Sequence, residues 1–157
     1  MEIERKFLVN EIPGDLNRFE YHELSQGYIS TFPVIRIRQW DDEYILTVKS
    51  GGLLAREEYE INLSREEFEN LQGKVSGNII KKTRYIIPIE DTGLKVELDI
   101  FHGAFEGLVY AEVEFPDVET AEAFTPLPYF GREVTMEGGY SNAALSEAED
   151  PAIYLKK

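Results

Sequence analysis

The chain of 157 residues has no cysteine, two histidines, one tryptophan, and only 16 Lys and Arg residues against 30 Asp and Glu. Each shortage excludes something. Without thiols, neither a disulfide framework nor a cysteine metal site can form. His22 and His102 stand far apart without ligand spacing, so a zinc site is not expected. No apolar run approaches the length of a membrane span. The opening MEIERKF has neither the basic n-region nor the apolar h-region of a secretory signal. A cytoplasmic protein with no membrane partner is the expectation. The formal net charge of -14 removes the general basic footprint that nucleic-acid binding needs. A small anion is still a reasonable ligand, provided the few bases are gathered in one place. The EGG and SGG stretches are turns and do not follow the P-loop pattern.

What the chain does have is a series of short β-prone segments. Its length and its 43% apolar content suit a single domain over residues 1–157. Eight stretches rich in Val, Ile, Tyr, Phe and Thr read as strands: 1–9, 26–32, 34–40, 43–49, 55–63, 79–88, 94–102 and 107–116. Turn residues such as DDE at 41–43 and EDTG at 90–93 separate them. Three short helices are expected. Ser64 with Glu67 forms a capping box ahead of 64–73. A second helix starts at Asp117, and a third lies in 139–148, capped by Ser141 or Asn142. Consecutive strands with tight turns suggest a mainly β fold, an eight-stranded antiparallel closed barrel with small flanking helices.

The charges are not scattered. Glu2, Glu4 and Lys6 alternate in the first segment, Arg36 and Arg38 in VIRIRQW, and Glu58 and Glu60 in REEYEI. Lys82 and Arg84 follow in KKTRY, Lys95, Glu97 and Asp99 in LKVELDIF, and Glu112 and Glu114 in YAEVEF; Lys49 stands alone in LTVKS. Side chains two apart on a strand share a face. The doubled charges therefore share one face and the interleaved Ile, Leu and Val the other. The bland arrangement turns the charges to solvent, and for any single strand this is the better reading. The alternative turns them inward, around a wet bore, because ionised groups in a dry interior must be hydrated, paired or bound to ligand. Such acids can hold a hard divalent cation, and guanidinium forks match phosphate oxygens. Both arrangements fit the pattern taken strand by strand.

The ordered set of ExExK at Glu2, Glu4 and Lys6, then RIR, TVK, EYE, KTR, ELD and EVE, resembles the CYTH superfamily of triphosphate tunnel metalloenzymes. EIERKFLV looks most like its small bacterial triphosphatase branch. The resemblance runs from Glu2 to about Glu114, with GREVT and YSN further on also family-like. It implies an eight-stranded tunnel that binds a triphosphate with Mg2+ or Mn2+, with the C-terminal helix at one mouth. By the same resemblance, Glu2, Glu4, Glu112 and Glu114 are the core metal ligands. Glu60 and Asp99 hold metal, its waters or neighbouring bases, with Glu58 and Glu97 less defined. Lys6, Arg36, Arg38, Lys49, Lys82 and Arg84 bind phosphate, and Lys95 shares their face. Glu4 and Glu114 count as catalytic through the metal. Lys82 is either a general base aligned by Tyr28 or a phosphate clamp.

The implied activity is metal-dependent hydrolysis of inorganic triphosphate, releasing phosphate by in-line attack of water. The alternatives are a class IV adenylyl cyclase, a thiamine or nucleoside triphosphatase, and a noncatalytic polyphosphate-binding module. A flat outer sheet face would suit a homodimer. Trp40 reads as a strand-end packing residue, and Ser141 and Ser146 as helix residues.

Overall fold

The structure is a computed structural model and describes residues 3–50 and 57–155. Among the described residues nine strands form one antiparallel sheet: β1 Ile3–Val9, β2 Glu20–Thr31, β3 Val34–Trp40, β4 Glu43–Lys49, β5 Glu58–Leu63, β6 Ser76–Pro88, β7 Lys95–His102, β8 Val109–Phe115 and β9 Phe130–Glu133. Their order across the sheet is β5-β4-β3-β2-β6-β7-β8-β1-β9. Two hairpin series, β2 to β5 and β6 to β8, meet along β2 and β6, and the N-terminal strand adds beside β8.

Three short α-helices decorate the sheet. In α1, Arg65–Gln72, the Ser64 hydroxyl accepts from the Glu67 N–H at 3.1 Å, and Glu67 accepts the Ser64 N–H at 2.8 Å. That reciprocal pair satisfies two donors that the helix start would leave open. Phe68 is the buried residue of α1 and packs its ring 5.0 Å from Tyr44. Helix α2, Val118–Ala123, is capped by Asp117, and α3, Asn142–Glu147, by Ser141. Among the described residues no helix is long and apolar enough to cross a membrane.

The curled antiparallel sheet with small helices is as expected, with differences in detail. The expected strands over 1–9 and 55–63 extend into residues 1–2 and 55–56, which lie outside the described ones. β2 begins at Glu20 rather than 26, and β6 at Ser76 rather than 79. The missed half of β2, EYHELS, is polar on both faces and carries no β-branched run, so it offers no alternation to detect. β9 is short, and it pairs with β1 through Phe7–Glu133 and Val9–Phe130. The edges β5 and β9 are not hydrogen-bonded neighbours, so backbone pairing does not close the sheet. After β9 the chain turns over the concave face instead. Leu145, Tyr140 and Tyr154 pack there against Ile80, Phe101, Phe105 and Tyr110.

The main core lies on the other face. Phe7, Val9, Val96, Leu98, Ala111, Val113 and Phe115 are buried there with Ala121 and Phe130. The interleaved apolar side chains of β1, β7 and β8 therefore point away from the bore and beneath α2 and β9. Covering this face lets the charged one turn inward.

Candidate active site

Residues directly opposite each other in a ladder share a face, so the register settles where each charge points. Glu4 lies opposite Glu114, and Lys6 opposite Glu112. Glu112 lies opposite Glu97, and Asp99 opposite both Tyr110 and Arg84. Lys82 faces Leu24 across the β2–β6 ladder. On the other side Gln26 pairs with Arg38 and Tyr28 with Arg36. Thr47 links Arg36 to Glu60, and Lys49 lies opposite Glu58. Lys95 keeps the same parity as Glu97 and Asp99 on β7. All the sequence-selected charges in the described residues thus share the concave face. Glu2 lies outside the described residues.

Apart from Lys6 and Lys95 among the acids and Glu58 and Glu60 beside the bases, the two signs separate into walls. Glu4, Glu97, Asp99, Glu112 and Glu114 stand on β1, β7 and β8, whereas Arg36, Arg38, Lys49, Lys82 and Arg84 stand on β3, β4 and β6. Asp99 joins them at the β6–β7 seam. Its Oδ2 lies 2.8 Å from Lys82 Nζ, and Arg84 grips both oxygens, Nε to Oδ1 at 2.7 Å and Nη2 to Oδ2 at 2.9 Å. Arg84 Nη1 also reaches Glu97 at 2.7 Å.

Burial alone would raise the Asp99 carboxyl, but the Lys82 charge and the Arg84 fork prevail and hold it below the usual carboxylate range. Burial likewise pulls Arg84 down, yet the Asp99 hydrogen bonds and the Asp99 and Glu97 charges carry it above its ordinary value. Glu97 is pushed up by burial and by the neighbouring Asp99, Glu112 and Glu114, against the pull of Arg84. Lys6 sits 3.3 Å from Glu112 and over the Tyr110 ring.

The cationic wall has a different character. Burial, then the neighbouring Arg36 charge, lowers Arg38 from its ordinary value. Arg38 donates through Nε to Gln26 at 2.9 Å, and Gln26 donates onward to the Tyr28 hydroxyl at 3.3 Å. Among the described residues the buried Nε of Arg36 has no hydrogen-bond partner. Two half-buried guanidiniums that repel each other, one with an orphaned donor, form a site short of anion.

A cavity of about 90 Å³ opens between Gln26, Arg38, Lys82, Arg84 and Asn142, with Leu24, Ile80 and Trp40 as its apolar wall. The Trp40 ring lies 4.7 Å from the His22 ring and 6.0 Å from the Arg84 guanidinium. Trp40 is therefore a packing residue, and one that props a site cation. Sequence reasoning missed Gln26 and Asn142. Gln26 was detectable by its period-two spacing from Tyr28, while Asn142 sits on a helix and carries no strand signal. Among the described residues no hydrogen bond joins Lys82 and Tyr28. Lys82 is paired with Asp99, and Tyr28 is bonded to Gln26, two same-face positions along β2 from Leu24.

Such a sheet, curled around opposed acidic and basic walls, defines a charged tunnel suited to a metal and polyanion together. Residues 1–125 match the CYTH domain, and the chain belongs to that family. It is 44% identical over 150 residues to an inorganic triphosphatase of Nitrosomonas europaea, covering 92% of this chain and 96% of that one. It is 38% identical over 155 residues to an inorganic triphosphatase of Acetivibrio thermocellus, covering 92% of each. A crystal structure of an inorganic triphosphatase superposes with a TM-score of 0.85 at 39% identity, covering 96% of this chain and 97% of that one.

Proposed function

We propose that the protein is a divalent-metal-dependent hydrolase of inorganic triphosphate. One observation carries the reading: Arg36, Arg38, Lys82 and Arg84 gather on one concave wall facing a carboxylate wall, and among the described residues the buried Nε of Arg36 has no partner. A linear polyphosphate supplies the missing anionic oxygens, and relatives similar along nearly their whole length are named inorganic triphosphatases.

The acidic wall suits a hard cation. Glu4 and Glu114 form one like-charged rung, Glu97 and Glu112 another, and Glu97 is raised partly by its acidic neighbours. Like charges set opposite each other are unfavourable until a cation comes between them. Among the described residues no three acidic or histidine side chains converge on one point. Mg2+ takes carboxylate oxygens and completes its octahedron with waters and substrate phosphates. Glu4, Glu112 and Glu114 would hold Mg2+ or Mn2+, joined by Glu2 and with Glu60 on an outer ligand or water. Asp99 is the exception, because its oxygens already serve Lys82 and Arg84, so we assign it to positioning those bases. When bound, the metal neutralises phosphate charge and acidifies water.

The chain's own contribution is positioning and charge neutralisation, which phosphoryl transfer chiefly requires. Lys6, Arg36, Arg38, Lys49, Lys82 and Arg84 hold the phosphate oxygens and stretch the chain along the bore. Water oxygen attacks the terminal phosphorus, the bridging P–O bond breaks, and pyrophosphate leaves with its electron pair while the water proton is released. We read Lys82 as a clamp in this reaction, since its ion pair with Asp99 suits that role and the Tyr28 hydroxyl bonds to Gln26 instead.

The test is a panel of tripolyphosphate, pyrophosphate, ATP and thiamine triphosphate with Mg2+ and Mn2+, run with EDTA and metal add-back. Phosphate and pyrophosphate from tripolyphosphate, lost in EDTA and restored by metal, are expected. Cyclic AMP from ATP, preference for an organic triphosphate, or binding without turnover would overturn the reading.

A further inference from the structure

The first residue of α3 has a side chain that its own helix does not use. Ser141 is the N-cap, its hydroxyl accepting the Ala144 N–H at 3.1 Å, which leaves the Asn142 amide outside the cap. That amide is half-buried and lines the cavity with Gln26, Arg38, Lys82 and Arg84. Among the described residues it makes no hydrogen bond. A partly desolvated amide beside three cations is costly unless something completes it.

Asn142 is held in place rather than left to wander. Leu145 is fully buried beneath the helix against Ile80 and Phe101. Asn78 Nδ2 donates to the carbonyls of Leu145 at 3.0 Å and Ala148 at 2.8 Å, tying down the far end of α3. Gly77, at φ +79°, lets the Ser146 carbonyl approach so closely that a Cβ would lie 2.1 Å from its oxygen. Just before α3, the Tyr140 carbonyl accepts from Lys6 Nζ at 3.2 Å. Residues 140–142 therefore touch both walls of the bore. They also lie beyond residues 1–125, the part that matches the CYTH domain.

We propose that Asn142 is a substrate-contacting residue, donating through Nδ2 to a phosphate oxygen of the linear polyphosphate bound by Arg38, Lys82 and Arg84. The proposal rests on the triphosphatase reading. An amide suits this place because it adds a donor without adding a fourth positive charge to a cavity already lined by three cations. Its Oδ1 can meanwhile accept from whichever cation turns toward it on binding. The C-terminal helix thus completes the phosphate site as well as covering it.

The test compares Asn142→Ala, Asn142→Asp and Asn142→Gln with the unaltered protein. It reads KM and kcat for tripolyphosphate with Mg2+, calorimetric binding of tripolyphosphate in EDTA, and melting temperature. Loss of one hydrogen bond to a charged oxygen predicts about 10-fold to 100-fold weaker binding and higher KM for N142A. N142D should be weaker still because it sets a carboxylate against phosphate, and N142Q should recover part of the loss. Melting temperature should stay level across the series. An active unaltered protein with N142A and N142D equal to it in KM and binding overturns the assignment alone. So does a fall in melting temperature that tracks KM through all three variants, which would mark a structural role. If the unaltered protein neither binds nor hydrolyses tripolyphosphate, the functional reading falls and the assignment with it.

Discussion

Lys82 Nζ and Asp99 Oδ2 lie 2.8 Å apart, with side chains only 8% and 1% exposed. Arg84 takes the same carboxylate as a two-pronged fork. One buried acid therefore fixes two neighbouring bases of β6 on the wall where phosphate is expected. Because these bases are oriented before substrate arrives, little reorganisation is left for the moment of binding.

Replacing Asp99 by Asn should leave Lys82 and Arg84 crowded without their counter-ion. Removing one partner of a buried ion pair typically costs about 3–5 kcal/mol, and urea unfolding should show a loss of that order. Lys82→Met should cost less, because Asp99 keeps its Arg84 fork.

Arg36 and Arg38 should behave in the opposite way. Burial and mutual repulsion make them a strained pair, and Arg36 has an orphaned Nε. Arg36→Ala should leave stability unchanged or raise it by up to about 1 kcal/mol. The same variant should raise KM for tripolyphosphate by about tenfold or more through loss of a charged phosphate contact. Denaturant titration alongside steady-state kinetics checks both halves.

Glu4→Ala and Glu114→Ala should fold normally by circular dichroism and show no metal-dependent turnover. Full activity in either variant at saturating Mg2+ would refute their assignment to the metal.

Lys82→Arg should keep metal-dependent turnover of tripolyphosphate while KM rises, since a guanidinium can still clamp phosphate but cannot act as a base. Loss of turnover with tripolyphosphate binding retained would assign Lys82 to proton transfer instead.

His22, directly opposite Arg84 across the β2–β6 ladder, offers a pH test of the fold. Its hydrogen bond to Asp41, then that to Glu20, raise it above the ordinary imidazole value of 6.5. The pairing therefore stabilises the fold fully below that value and is lost as pH rises through the higher folded one. The gap in melting temperature between the protein and His22→Gln should be widest at acid pH and shrink as pH climbs past the ordinary imidazole value.

The period-two charges were legible because a strand encodes its faces in sequence parity alone, and ExExK, RIR, KTR and EVE each keep that parity. β1, β3, β4, β7 and β8 carry it cleanly, and their described charges share one face. The start of β2 was not legible. His22 and Leu24 face the site while Tyr21 and Glu23 face outward, so neither parity is apolar. β9 is four residues long and is defined by its partner β1 rather than by its own pattern. Asn142 was hidden for a related reason, as its role comes from where α3 docks and not from any spacing near it.

Composition and alternation by themselves determined a β-rich chain with two chemically distinct strand faces, an excess of acid, and bases confined to a few rungs. They could not say which face turned inward, because alternation is symmetric under exchange of inside and outside. Tertiary structure broke that symmetry. α2 and β9 bury the apolar face of β1, β7 and β8. The curled sheet then brings Asp99 against Lys82 and Arg84, and the C-terminal helix lays Asn142 beside them. Contacts between residues so distant in sequence depend on packing area and docking geometry, which no local pattern records.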